Sequence, residues 1–206
     1  AKMTAQAIAK FLKTKLQLTI NTEKSGIRRP VNFTILGFGF VPTYKKGSKN
    51  DYQLVVAEKA WKKLKERLKS ISRKTAPVKL EERIAKIKEV QRGWLNYFRG
   101  TSIMGKLRDL DGWLRNRLRY CIWHDWKKPE RKRKNLIRLG VDQDHAYAFS
   151  RTRKGGWAVA QSPILNTTIT LKRLKQRGYQ SLTDVYIELN PSLCEPPSTR
   201  PVRSVV

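Results

Sequence analysis

The stretch QRGWLNYFRG, residues 91–100, decides how the rest of the chain is read. It sets Trp94, Leu95, Tyr97 and Phe98 between arginines and glycines, in a sequence of 45 Lys and Arg against 16 Asp and Glu with a formal charge of +29. The rings are either a surface that stacks on bases or the core beneath a charged surface. Upstream, Ile84, Ile87 and Gln91 recur every three or four residues, and Trp94, Leu95 and Phe98 extend the same stripe. The spacing predicts a helix over about 80–99, with Gly93 admitting a close neighbour beside Trp94 and Gly100 as C-terminal cap. Burial explains Trp94, Leu95 and Phe98 without any ligand, so they are assigned to the core. Tyr97 lies off the stripe beside Arg99, where it can meet a base, a sugar or solvent.

A helix is expected on either side of this one. Over about 57–73, Trp61, Leu64, Leu68 and Ile71 keep helical spacing among lysines and arginines, and Pro77 ends the pattern. Over about 103–126, Leu107, Leu110, Leu114, Leu118 and Cys121 mark one side, Arg108, Arg115 and Arg119 another, and Pro129 closes the helix. Within WLRNRLRYCIWHDWKK, residues 113–128, rings and arginines interleave around the whole helix. Arg115, Arg117 and Arg119 cannot all point inward, and guanidinium forks bind phosphate oxygens in pairs, so this helix is the candidate nucleic-acid face. The bland alternative is a solvated basic face beside a core seam of Trp113, Leu114 and Leu118.

Upstream, residues 1–16 read as a short amphipathic helix with Ile8, Phe11, Leu12 and Leu16 on one side, followed by the strand-like LQLTIN and the turn chemistry of NTEKSGIRRP. VNFTILGFGFV reads as one strand, with Leu36, Phe38 and Phe40 on one face and Gly37 and Gly39 on the other, leaving bare backbone for a close approach. YKKGSKNDYQ reads as a basic hairpin turn. Downstream of Pro129 come a short helical stretch, a break at Gly155 and Gly156, and two further segments. In RTRKGGWAVAQSPI, Arg151, Arg153 and Lys154 precede those glycines and Trp157; this suits a loop gripping a backbone and equally an exposed basic turn pinned by Trp157. The expected fold class is α+β, with boundaries 1–50, 51–128, 129–189 and 190–206, the last a proline-rich tail too poor in apolar residues to fold.

The charge calls for a polyanionic partner, nucleic acid first, and it lies upstream: residues 181–206 hold Asp184, Glu188 and Glu195 against Arg200 and Arg203. No apolar run approaches the roughly eighteen residues of a membrane span, so a soluble, cytoplasmic protein is expected. Two cysteines, Cys121 and Cys194, and two histidines, His124 and His145, make neither a disulfide framework nor a four-ligand metal site. Asp109 and Asp111, like Asp142 and Asp144, are two residues apart, which on a helix turns the carboxylates about 200° from each other. No catalytic residue, metal ligand or cofactor is assigned within the chain, and Ala1, entering a helix already under way, suggests the downstream part of something larger.

RGWLNYF followed by WLRNRLRYCIWHDWKKP resembles the maturase-specific domain, or domain X, that forms the thumb of group II intron reverse transcriptase/maturases. FLKTKLQLTINTEKS with FTILGFGF resembles the end of the palm in that family, and AYAFSRTRKGGWAVAQSPILNTTIT the basic segment that follows domain X. The resemblance spans about residues 8–189, with the three motifs in the family's order. It implies that Leu36, Gly37 and Phe38 are the primer grip, a hairpin holding the primer end, and that Lys24 is a palm lysine assisting the leaving pyrophosphate. It also implies that Trp94, Tyr97, Phe98, Trp113, Arg115 and Arg119 belong to a helical thumb on intron RNA and the template-primer duplex. With the charge pattern, Lys62, Arg67, Arg92, Arg99 and Arg108 join Tyr97, Arg115, Arg117 and Arg119 as expected nucleic-acid contacts, and Arg151, Arg153 and Lys154 follow in the basic segment. The family's YADD box, whose aspartates hold two magnesium ions, is absent, so the chain alone is not expected to polymerise; an upstream palm and fingers polypeptide and target DNA are further implied partners. A free-standing RNA-binding or assembly protein is the rival reading.

Overall fold

In a computed structural model, residues 2–21, 25–43 and 51–191 are described. They fall into two compact units divided between Ala57 and Glu58, rather than at the expected 50/51. Lys24, most of the expected basic turn at 44–53, and the tail from residue 192 lie outside the described residues.

The first unit holds helix α1 (Lys2–Lys15), a single 3-10 turn (Pro30–Asn32) and an antiparallel sheet of β1 (Thr34–Ile35), β2 (Phe38–Pro42) and β3 (Tyr52–Val56) in the order β1-β2-β3. Helix α1 buries none of its residues. The strand expected at LQLTIN does not form: Gln17 takes φ 53°, outside the extended region, and Leu18 N bonds back to Leu12 O. The single strand expected over VNFTILGFGFV is instead a hairpin. Ile35 faces Phe38 across the ladder, with Leu36 at φ 51° and Gly37 at φ 85° between them. Two residues of positive φ are what a tight turn needs to match the right-handed twist of its strands. Leu36 therefore leaves the face it was expected to share with Phe38 and Phe40 and stands at the tip, 77% exposed. A leucine in the left-handed region is strained by about 1–2 kcal/mol. Leu36→Asn, which tolerates that region, is expected to slow hydrogen exchange of the hairpin amides about fivefold, as a gain of about 1 kcal/mol requires.

The second unit begins with the three expected helices, α2 (Glu58–Ile71), α3 (Leu80–Phe98) and α4 (Met104–Asp125). Their apolar stripes meet: Leu68, Ile87, Leu95, Leu107, Leu114 and Leu118 are all fully buried. Trp94 and Trp113 are only half-buried. The Trp94 ring stands 4.7 Å from Trp61 and 4.6 Å from Phe98, so an aromatic row edges the core. The two glycine expectations on α3 fail. Nothing stands within 4 Å of where a Gly93 side chain would begin, and Gly100 does not take a left-handed conformation. Thr101 closes the helix instead, its hydroxyl and its N–H both donating to Phe98 O.

The eight residues between α2 and α3 are held by a contact that no periodicity announced. Arg83 on α3 is 2% exposed, yet among the described residues its guanidinium has no ion-pair partner; it donates to the carbonyls of Ile71, Arg73, Ala76 and Val78 and so shapes the α2–α3 connection. The carbonyl end of α2 is a natural seat for a cation.

The remainder is helical: α5 (Pro129–Arg138), α6 (Gln143–Ser150), α7 (Gly156–Ala160), α8 (Pro163–Thr168), α9 (Leu171–Gln176) and α10 (Leu182–Leu189). It shows no division from the bundle at 128/129. Helix α7 packs on α4 and α10 on α3 and α4. Gly156 opens α7 rather than breaking the chain, because a Cβ there would stand 2.7 Å from the Tyr120 ring. Helix α10 is anchored by Asp111 of α4, 1% exposed. Its carboxylate accepts from Leu182 N at 2.7 Å, from Thr183 N and hydroxyl at 3.0 and 2.9 Å, and from Tyr179 OH at 3.2 Å. Burial and this carboxylate push the Tyr179 phenol well above its ordinary range. No helix among the described residues is long and apolar enough to cross a membrane.

Candidate nucleic-acid interface

On α2, Lys62, Lys65 and Lys69 each follow a buried residue (Trp61, Leu64, Leu68) by one position. One residue is about 100° of helix, so these lysines stand at the margin of the core stripe and their stems run along the seam with α4. There they meet rings. Lys65 Nζ stands 5.4 Å from the Trp113 centroid, Lys106 Nζ 5.7 Å from Trp61, and Lys74 Nζ 5.2 Å from Tyr120. Arg117 lies 5.8 Å from Trp113 and 6.0 Å from Trp157, whose ring meets the edge of Tyr120 at 5.8 Å.

Two grooves follow this seam. The first, of about 410 Å³, lies between Trp61, Lys62 and Lys65 of α2 and Lys106, Asp109 and Trp113 of α4. The second, of about 530 Å³, lies between Lys69, Arg73 and Lys74 on one side and Arg117 and Tyr120 on the other. Helix α2, Glu58–Ile71, spans about 20 Å at 1.5 Å per residue, so the seam presents a row of ammonium groups over aromatic faces several nucleotides long.

The expected contacts do not gather on this face alone. Lys62 does line it. Arg117 rims it, but much of its guanidinium is committed: Nε donates to Ser72 Oγ and one terminal nitrogen to Lys69 O and Ser72 O, at the carbonyl end of α2. Arg119 corrects the expectation outright, because it is buried at 8% exposure, with Nε donating to Ile169 O and a terminal nitrogen to Asn116 Oδ1. Desolvation, then the charge of Arg115, lower its affinity for its proton. It holds α4 to the α8–α9 connection and is not open to a phosphate. Arg115 is half-buried and Arg108 exposed. Arg92 and Tyr97 are exposed on α3, Arg99 just past its end, and Arg67 on α2. Arg151 pairs with Glu130 at 2.8 Å and lies 4.0 Å from the Tyr147 ring, whereas Arg153 and Lys154 are exposed in the turn before α7. Lys65, Lys69, Lys74, Lys106 and Tyr120 line this face and were not among the expected contacts; for the α2 lysines, the one-after-the-stripe offset was the available signal.

Among the described residues no group of three or more His, Cys, Asp or Glu side chains could hold a metal ion. Residues 61–140, which contain most of α2, all of α3 and α4, and the lining of both grooves except Glu58, match the family model described as the group II intron, maturase-specific domain. The chain carries a maturase-specific domain. No curated protein matches it. The match covers 80 of the 206 residues, and for those residues it implies a role in intron splicing with intron RNA as partner. It also runs beyond α4 through α5 to Gly140, so the family's own unit crosses the 128/129 boundary as the packing does.

Proposed function

We propose that the α2–α4 seam binds phosphates of group II intron RNA and keeps that RNA folded for splicing, and that in a protein with a catalytic palm the same face clamps the template-primer duplex while Leu36, Gly37 and Phe38 hold the primer end. The observation that carries the first part is the row of lysines over Trp61, Trp113 and Tyr120. Each ammonium is kept near a fixed ring while its outer side faces water, so phosphates meet pre-positioned charges and release counterions. The exposed hairpin tip supports the second part: Leu36, at φ 51°, stands 77% exposed at the turn where a primer end would be held. The work of this chain is then binding and orienting. Copying would need the aspartates of a YADD box with their magnesium ions, and no adjacent aspartate pair occurs in the sequence.

The test is binding of the full chain to a folded group II intron transcript across a salt series. If about six phosphates are neutralised, the logarithm of the binding constant falls against the logarithm of salt with a slope of roughly −4 to −5. Replacing Lys62, Lys65 and Lys69 together by glutamine is expected to flatten that slope by about 2 to 3. A slope near zero refutes the reading. Mixing the chain with a palm polypeptide bearing the aspartates and assaying primer extension separates the clamp from a free-standing RNA-binding role, which predicts the same slope and no extension.

A further inference from the structure

The first groove differs from the second in its acids. Glu58 and Asp109 share it with Lys62, Lys65 and Lys106. A cradle for phosphates alone gains from each cation and loses from each carboxylate, so this composition suits something other than backbone. Glu58 is balanced by Lys106, Nζ to Oε2 being 2.9 Å. Asp109 has no ion-pair partner among the described residues and is exposed. On α4 it stands three residues after Lys106 and four before Trp113, so cation, carboxylate and indole share one face.

We propose that this groove takes an unpaired guanine of the bound RNA, stacked on Trp113, with the Asp109 carboxylate accepting from guanine N1–H and N2–H and a neighbouring lysine donating to O6. The proposal rests on the RNA-binding reading above and names the base that site selects. Guanine is the one RNA base whose Watson–Crick edge presents two adjacent donors, the complement of a carboxylate's two oxygens. Adenine and cytosine set a donor beside an acceptor, and uracil flanks one donor with two acceptors. A lysine beside the carboxylate supplies the donor that O6 requires. The volume of about 410 Å³ is that of a small-molecule site and admits one base. Lys65, now 5.4 Å from the Trp113 ring, yields that face to the base and turns its ammonium to the nucleotide's own phosphate. The second groove, with Lys69, Arg73, Lys74 and Arg117 against the lone carboxylate of Glu66, takes neighbouring phosphates.

The experiment uses the full chain and fluorescently labelled RNA octamers of uridine carrying one central guanosine, inosine, adenosine or cytidine, at low salt. The expected result is that guanosine binds about tenfold tighter than adenosine or cytidine, with inosine, which lacks the N2 amine, in between. Asp109→Asn is expected to erase the preference while leaving the all-uridine octamer bound as well or better, since a negative charge is removed. Asp109 is exposed and accepts no hydrogen bond among the described residues, so the variant is expected to keep its structure, which an unchanged melting curve verifies. Equal binding of all four octamers by the unaltered protein overturns the proposal, and so does a guanosine preference that survives in Asp109→Asn. If salt-dependent binding of the folded transcript persists without any base preference, this proposal falls alone; if no RNA binds, the phosphate-binding reading falls with it.

Discussion

Asp111→Ala is expected to destabilise the second unit by about 3–5 kcal/mol, the loss that follows when a buried charged acceptor is removed and its donors stay behind. The argument runs through α10. A helix N-terminus carries N–H groups that no intrahelical carbonyl can satisfy, and α10 buries Leu182, Val185 and Tyr186 against the bundle. Ser181 caps one of these groups, its hydroxyl accepting from Asp184 N. The N–H groups of Leu182 and Thr183 turn to Asp111 across 71 and 72 residues of sequence. Alanine orphans both, along with the Thr183 hydroxyl and Tyr179 OH. Asparagine retains one acceptor oxygen and points an amide donor at donors, so about half the loss is expected of Asp111→Asn. Urea titration followed by tryptophan fluorescence reads both. A midpoint unchanged in the alanine variant would show that α10 is not held by this carboxylate.

The three main helices were legible because their apolar residues keep a period of 3.6 over several turns, a signal strong enough to survive six basic residues in α2. The α+β class followed from the glycine- and aromatic-rich run before them. The hairpin at Leu36–Gly37 was not legible, because alternation of side chains describes ILGFGF equally well as one strand, and leucine is a poor advertisement for positive φ. Arg119 was read as a surface contact, and Asp111 was weighed only as half of a carboxylate pair, for a different reason. A charged residue on a basic helix is ordinarily solvated, and the partners that bury these two, Leu182 with Thr183 and Ile169, lie 50 or more residues downstream. No local pattern carries that distance. The same blindness made residues 129–189 look like a separate basic segment, when their buried leucines, Leu136, Leu165, Leu174 and Leu182, make them part of the second unit.

Arg83→Met is expected to cost about 2–3 kcal/mol and to loosen the α2–α3 connection selectively. Methionine keeps the apolar stem that passes through the core but donates nothing, leaving four carbonyls between Ile71 and Val78 without their common donor. Those that reach water recover part of the loss, which sets this variant below Asp111→Ala. Arg83→Lys is expected to recover little: an ammonium offers three donors from one point, whereas the planar fork spans carbonyls on both sides of the turn. The functional consequence lies next door. Arg117 donates to Lys69 O and Ser72 O, at the same end of α2 that Arg83 holds from the other side, and Arg73, Lys74 and Arg117 line the second groove. Freeing the connection therefore blurs the position of two of its cations. Hydrogen exchange of the amides of residues 72–79 should quicken well beyond that of α4, and binding of the intron transcript should weaken while its salt slope is largely kept, since the charges remain and only their placement is lost. Exchange quickened uniformly across the unit would assign Arg83 to global stability alone.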